Sequence, residues 1–331
     1  MSLAQIALVG PGRINRSIAQ AFLWAGHPVT VVDFKHRDQA GWARTEALVR
    51  SEVESGLAML VRRERASEDD IPAMRGRLTV VGDDQADAML AHSALIIEGA
   101  PEDLEVKRAV LGRIGKANDS AIIASATSTI MADELATFVD NPGRFLNAHF
   151  LNPAWLMPLV ELSPAAVTDE TVYEELRAML LAIGKQPVRC AATPGFIVPR
   201  VQMAAGCEAI KLLEEGVANA ADIDRALRIG FALRFAILGF LEFTDWGGLD
   251  IAKAAGDYLA DRLGGEYYRA PAIVDAKLRE GASGMYAGRG FYDYGELDLK
   301  AYRDGVTERL LDLVDYVGLF PQSGCAVRQD Q

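Results

Sequence analysis

The stretch IALVGPGRINRSIAQAF, residues 6–22, opens as an apolar run of strand length, turns at two glycines and continues with helical periodicity. Gly10 and Gly12 take the first two glycine positions of a G-x-G-x-x-G dinucleotide fingerprint, and Asn15 stands where the third belongs. Gly10 permits the tight turn, and Gly12 lets the backbone approach a pyrophosphate at the N-terminus of a helix expected over 15–25. Gly10, Gly12, Arg13 and Ile14 are therefore the candidate phosphate contacts, and Arg13 and Arg16 could add charge to the helix dipole. A third glycine serves close packing of helix on strand, so Asn15 is expected to push the helix slightly outward. About twenty residues further on, Asp33 ends a second strand, where a carboxylate accepts hydrogen bonds from an adenosine ribose and repels a 2′-phosphate. Lys35, His36 and Arg37 follow at once and could neutralise such a phosphate, yet Asp33 points to NAD rather than NADP.

Outward from this stretch, short β-branched runs alternate with helix-period segments up to about residue 190. Strands are expected over 5–10, 28–33, 77–82, 94–100, 121–126, 144–150 and 187–192. Continuous apolar strands separated by helices imply a parallel sheet covered on both faces. A long helical region over 40–66, ending in the basic run VRRER, exceeds a minimal crossover and suggests an inserted helical hairpin. After ATPGFIVPR (192–200) the chain is almost wholly helix-period to residue 263, with Asp222 as the expected cap in ANAADIDRALRIG. A turn-rich segment, GMYAGRGFYDYG (284–295), and a last amphipathic helix over 295–321, before Pro321, complete the chain. The expected architecture is an α/β Rossmann-type N-terminal domain with a helical insertion, residues 1–192, followed by an all-α C-terminal domain, residues 193–331.

Composition narrows the functional classes. A net charge of −12 argues against general affinity for nucleic acid or an anionic membrane, so an anionic ligand needs a local basic pocket. No apolar run approaches the roughly 18 residues that span a bilayer, and IALVG is a strand-length run rather than a signal sequence. Cys190, Cys207 and Cys325 are too few and too widely spaced for a disulfide framework or a metal cluster. They read as buried thiols in a reducing cytoplasm. No metal is expected.

The most informative stretch is RFLNAHFLNPAWLMPLVELSP (144–164), in which His149 ends a strand and Glu161 follows in LVEL. By spacing alone such a pair reads first as structural. As chemistry, it suits alcohol oxidation: an imidazole takes the hydroxyl proton as hydride leaves the carbon, while a carboxylate fixes its tautomer.

HFLNPAWLMPLVEL is similar to the H-F-F-N-P-x-x-x-M-x-L-V-E-V signature of the 3-hydroxyacyl-CoA dehydrogenase family. EGAPEDLEVKRAVL (98–111), ASATSTI (124–130), GKQPVRCAATPGFIVPR (184–200) and GRGFYDY (288–294) resemble further family segments in the same order, covering nearly the whole chain. The resemblance implies an NAD-dependent enzyme with His149 as general base and Glu161 as its partner. It places Ser128 at the serine that hydrogen-bonds the reacting hydroxyl, Asn152 at the asparagine of H-F-x-N-P, and Glu102 and Lys107 at cofactor contacts. In the insertion, Ser55 and Arg62 fall at the spacing of a serine and a lysine that meet coenzyme A; Arg62, Arg63 and Arg65 read equally as a solvated helix end. The resemblance also implies a homodimer built on the helical domain, for which the apolar run FAILGFLEF supplies surface.

Two departures fall within these motifs: Ala126 and Pro199 stand where the family has asparagines that help orient substrate or histidine. The loss of two amides removes hydrogen bonds worth about 1 kcal/mol each. RIGFALRFAILGFLEFTDWGGLD (228–250), with RVQ after the Pro-Gly-Phe turn, is more similar to the branch acting on free hydroxy acids, gulonate 3-dehydrogenase or lambda-crystallin. Arg234 could there clamp a carboxylate, or else lie at the surface or in a subunit interface. The expected activity is interconversion of a 3-hydroxyacyl-CoA and a 3-oxoacyl-CoA. The alternatives are dehydrogenation of a free 3-hydroxy acid of gulonate or carnitine type, and dinucleotide binding without turnover.

Overall fold

The computed structural model describes residues 3–320. Eight strands form one sheet: β1 (Ile6–Val9), β2 (Val29–Val32), β3 (Leu78–Val81), β4 (Leu95–Glu98), β5 (Ile122–Ser125), β6 (Phe145–Phe150), β7 (Leu159–Pro164) and β8 (Gln186–Arg189). Their order is β3-β2-β1-β4-β5-β6-β7-β8, which reverses direction between β1 and β4. At such a switch point the connections leave to opposite faces and a crevice opens at the carboxyl ends of the strands. Seven strands lie within or beside the expected runs. The eighth, β7, was not expected, and it pairs antiparallel with β6, so the sheet is mixed rather than parallel throughout. The connection over 151–158 is too short for a crossover helix, which leaves only an antiparallel return.

The first unit carries α1 (Arg13–Trp24), α2 (Gln39–Arg62), α3 (Asp70–Gly76), α4 (Ala86–Ala91), α5 (Leu104–Ala117), α6 (Ala132–Ala136) and α7 (Glu170–Ala182). Strand side chains alternate between two cores. Ile6 and Leu8 of β1 join residues of α1, α2 and α7, whereas Ala7 and Val9 join residues of α4, α5 and α6. Both faces are therefore covered, which explains the unbroken apolar strands. The insertion is one long helix with a short return, not two equal arms. Asp38 caps α2 by accepting from the Gly41 N–H at 2.7 Å, and Val49, Val53 and Leu57 bury its inner face.

Contacts divide the chain into two compact units between Gly206 and Cys207. Its later helices are α8 (Val198–Glu214), within which the division falls, α9 (Ala220–Ala226), α10 (Leu233–Ile237), α11 (Phe240–Gly247), α12 (Leu249–Leu263), α13 (Ala272–Arg279) and α14 (Leu299–Tyr316). The cap of α9 is Asn219, not Asp222: its side-chain carbonyl accepts from the Asp222 N–H at 3.0 Å, and the Asp222 carboxylate takes a bond back. Asp222 lies in the first turn, where its charge suits the helix dipole. Within the second unit, buried Asp245 of α11 accepts from the Phe291 and Tyr292 N–H groups, each at 2.9 Å, and from the Tyr294 hydroxyl at 3.0 Å. This fastens the GFYDY segment. Cys190 is buried but Cys207 is exposed, against the expectation of buried thiols. Pro321 and Cys325 lie outside the described residues. No helix among those residues is long and apolar enough to cross a membrane, and no group of three or more His, Cys, Asp or Glu could hold a metal.

Candidate active site

The groove at the switch point is built by backbone. Gly10 has φ +97° and donates its N–H to the Val32 carbonyl at 2.8 Å. A Cβ at Gly10 would lie 3.0 Å from the Gly99 carbonyl oxygen, so β1 and β4 approach as closely as glycine allows. Gly12 precedes α1 with no side chain to cap it, which leaves the first N–H groups of the helix open to an anion. Gly10, Gly12, Arg13, Ile14, Asp33 and Pro101 are among the lining of a groove of about 640 Å³, a size and backbone cradle that fit a dinucleotide.

Asn15 does not loosen the helix. It is fully buried, and its side-chain amide donates to the Val9 carbonyl at 2.8 Å and the Gly10 carbonyl at 2.9 Å, tying α1 to the end of β1. The room comes from Gly99, where a Cβ would lie 2.6 Å from the Asn15 nitrogen. Ser17 accepts from the Trp155 N–H at 3.3 Å and so reaches the β6–β7 connection. Arg16 supplies no free charge to the groove: it forks onto Glu52 of α2 at 2.6 and 3.0 Å and donates to the Pro11 carbonyl. Asp33, buried after β2, accepts from the Lys35 N–H at 3.1 Å and from Arg37 Nε.

Beyond β4, a buried ionic network supports the loop over 99–102. Lys107 and Glu98 are 1% and 0% exposed, with Lys107 Nζ 2.9 and 3.0 Å from the two carboxylate oxygens. Glu98 also accepts from Ser125 Oγ at 2.5 Å and the Ala100 N–H at 2.6 Å. Two more bonds satisfy the buried carboxylate, as such a charge requires. Lys107 stands 3.4 Å from Glu102, whose other oxygen accepts from the Thr127 hydroxyl and the Ser128 N–H. Burial pushes the Glu102 carboxyl up, but the Thr127 hydroxyl, the Lys107 charge and the bonds from Ser128 and Thr129 outweigh it and hold it below its ordinary value. Ser128 is thus positioned through its backbone after β5, on the same carboxyl edge of the sheet as Gly10, Asp33 and His149.

His149 and Glu161 are direct cross-strand partners in the β6–β7 ladder. Their side chains therefore share a face, and His149 Nδ1 lies 2.7 Å from Glu161 Oε2. Glu161 is 1% exposed, and its Oε1 accepts from the Ile197 and Val198 N–H groups, both at 2.8 Å. These are the open donors at the start of α8. Phe196 has φ +45°, an unfavourable conformation for a bulky residue, and packs its ring 5.6 Å from the imidazole. The turn is held where the carboxylate takes both succeeding N–H groups. Pro199 lies in the first turn of α8, where a missing N–H costs no helical bond. With Glu161 accepting at Nδ1, the neutral imidazole carries its proton there and presents a lone pair at Nε2, for which the described residues offer no partner. The connection between β6 and β7 is clamped by buried Lys185, whose Nζ donates to the Ala154 and Met157 carbonyls at 2.5 and 2.9 Å. Burial lowers its pKa.

The remaining candidates lie on other elements. Asn152 is exposed on the β6–β7 connection. Ser55 and Arg62 are exposed on α2, two turns apart on one side. Arg234 lies in the second unit, donates to the Gly230 carbonyl at 2.6 Å and packs over the Phe243 ring. Glu98, Ser125 and Lys185 escaped the sequence reading. The first had a usable signal: a glutamate ending the apolar strand LIIE must have a partner, and Lys107 follows within α5.

Residues 5–193 match the family model described as "3-hydroxyacyl-CoA dehydrogenase, NAD binding domain", and residues 195–294 match that of the same family's C-terminal domain. A 3-hydroxybutyryl-CoA dehydrogenase of Bradyrhizobium diazoefficiens is 32% identical, over 88% of this chain and 96% of its own. A 3-hydroxyadipyl-CoA dehydrogenase of Escherichia coli K12 is 34% identical over 89% of this chain, which spans only 60% of that longer protein. The solved 3-hydroxyacyl-CoA dehydrogenase of Archaeoglobus fulgidus superposes with a TM-score of 0.75 at 28% identity, covering 96% of this chain and 100% of its own. The chain belongs to the 3-hydroxyacyl-CoA dehydrogenase family, and NAD is its cofactor.

Proposed function

We propose that the chain interconverts a 3-hydroxyacyl-CoA and the corresponding 3-oxoacyl-CoA, with His149 as general base. The reading rests on the 2.7 Å contact between His149 Nδ1 and Glu161, which leaves Nε2 as the acceptor on the carboxyl edge of the sheet. In the oxidising direction His149 Nε2 takes the hydroxyl proton, and the Glu161 carboxylate stabilises the imidazolium. When bound, NAD supplies hydride acceptance in oxidation and hydride donation in reduction. Gly10, Gly12, Arg13 and Ile14 are assigned to its phosphates and Asp33 to its adenosine ribose. Glu102 is assigned to its nicotinamide half, and Lys107, buried beneath, acts through Glu102 and the Ala100 carbonyl. Ser128 is assigned to the reacting oxygen, Asn152 to orienting substrate, and Ser55 and Arg62 to coenzyme A phosphate.

Two observations favour a second reading, a free 3-hydroxy acid. Ala126 and Pro199 offer no side-chain donor, and the exposed Arg234 guanidinium could receive a carboxylate. A panel of 3-hydroxybutyryl-CoA and free 3-hydroxy acids, followed by NADH formation, separates the two. Turnover of the thioester alone supports the first reading, and turnover of the free acid alone replaces it. Unchanged turnover in His149→Ala would remove the base from the scheme. NAD binding without turnover of any of these would leave the non-catalytic reading. Residues 193–331 are assigned as the substrate-binding and dimerisation domain. A homodimer is supported by exposed apolar side chains of the second unit such as Ile210, Leu241 and Ile251, and light scattering of the purified chain tests it.

A further inference from the structure

A carboxylate at the end of the second strand normally repels a 2′-phosphate on the adenosine ribose. Here Asp33 is not a bare charge. Its Oδ2 accepts from Nε of Arg37, four residues further on, and its Oδ1 accepts from the Lys35 N–H. The pair is nearly neutral where the ribose would lie. Arg37 spends only Nε on this contact; its Nη1 and Nη2 have no hydrogen-bond partner among the described residues, in contrast to Arg16, which uses all three nitrogens. The free fork is the geometry that binds a phosphate bidentately.

Arg37 and Lys35 line both the dinucleotide groove and an adjoining cleft of about 510 Å³, which His36 also lines. Acidic residues reach this cleft as well, but two are already engaged: Asp83 with Arg113, and Glu46 with Arg50 at 2.8 Å. Asp84 is the remaining carboxylate of the lining, and it makes no ion pair with Lys35, His36 or Arg37. The cleft therefore offers volume and an uncommitted guanidinium immediately beyond the ribose position.

We infer that Arg37, by neutralising Asp33 and presenting its free fork to the adjoining cleft, makes this groove accept a 2′-phosphorylated adenosine ribose, so that the chain binds NADP as well as NAD. The inference rests on the groove being the cofactor site, and NAD serves as the internal control. Binding is measured by isothermal titration calorimetry on the cofactor-free chain with NAD, NADP, 5′-AMP and adenosine 2′,5′-bisphosphate. The expected result is an NADP Kd within about tenfold of the NAD Kd, with the two adenosine fragments in the same ratio. Arg37→Leu should raise the NADP-to-NAD Kd ratio by about tenfold or more, because the bare Asp33 then faces the phosphate. Adding Asp33→Asn should recover part of that loss, since the repelling charge is gone. NADP held more than about tenfold weaker than NAD by the native chain would overturn the inference alone, as would an unchanged ratio in Arg37→Leu. A double variant that recovers nothing would also overturn the neutralisation. Failure of the native chain to bind NAD in this groove would overturn the groove reading along with it.

Discussion

Replacing Glu161 by glutamine keeps the shape of the side chain and removes the charge that sets the state of His149. The amide oxygen can still accept from the Ile197 and Val198 N–H groups, both at 2.8 Å in the native chain. The amide nitrogen must then face His149 Nδ1, where it donates and forces the imidazole proton onto Nε2, the position that has to accept. Imidazolium formation also loses its counter-charge. Both groups are buried, so at an effective dielectric constant near 20 and a charge separation of about 4 Å the lost attraction is about 4 kcal/mol. That corresponds to about a thousandfold in kcat, with little change in NAD affinity. The assay is steady-state oxidation of 3-hydroxybutyryl-CoA, with NAD binding by calorimetry and thermal unfolding of the same preparation. Glu161→Ala is the contrasting variant: it orphans two N–H groups at the start of α8, costing about 1–3 kcal/mol each, and should lower Tm as well as kcat. A Glu161→Gln enzyme retaining kcat within about threefold would refute the reasoning, because its fold and cofactor site would be intact and the charge irrelevant.

Asn15→Gly restores the fingerprint glycine but removes the bonds to the Val9 and Gly10 carbonyls and leaves a void beside Gly99; a loss of about 1–3 kcal/mol in denaturant unfolding is expected, and a gain would contradict the packing described. Lys107→Met strands the fully buried Glu98 charge, so stability should fall by about 3–5 kcal/mol, measured by urea unfolding; a neutral change would show the ionic network to be dispensable. Cys190 has its thiol pushed up to about 11 by burial and by the nearby Glu161 charge, only partly offset by the neighbouring Ser163 hydroxyl. Its folded-state value is raised, so this contribution to stability is present below the ordinary thiol value of 9.0 and is lost as pH rises from there towards 11. At mildly alkaline pH iodoacetamide should therefore modify exposed Cys207 and spare Cys190, as read by peptide mass spectrometry.

The sheet was legible because its strands are buried on both faces and so appear as unbroken apolar runs between glycines and helices. β7 was hidden: in LVELSP, Glu161 and Ser163 alternate with Val160 and Leu162, a short pattern whose polar half is buried by function rather than turned to water. The nearness of His149 and Glu161 could be suspected from motif resemblance, but their contact depends on antiparallel register, which spacing alone does not encode. Arg16 and Arg37 show the same limit. Both are basic residues near a phosphate site by sequence, yet one forks onto Glu52 of α2 and the other donates to Asp33 through Nε alone, and only tertiary packing decides which. Asn15 was legible as a departure from a pattern and illegible as a fastening, since its partner volume lies at Gly99, far along the chain.

Asn15 and Gly99 share one volume, and that has a consequence for the history open to this sequence. Any side chain at 99 meets Asn15, because even a Cβ would lie 2.6 Å from its nitrogen. Reverting 15 to glycine first opens a gap, leaves the Gly10 carbonyl without its donor and leaves the Val9 carbonyl with only the Gly99 N–H. A change at either position while the other stays as it is should give a less stable protein. The pair thus acts as a latch on descent, and the two positions should be found to vary together rather than alone.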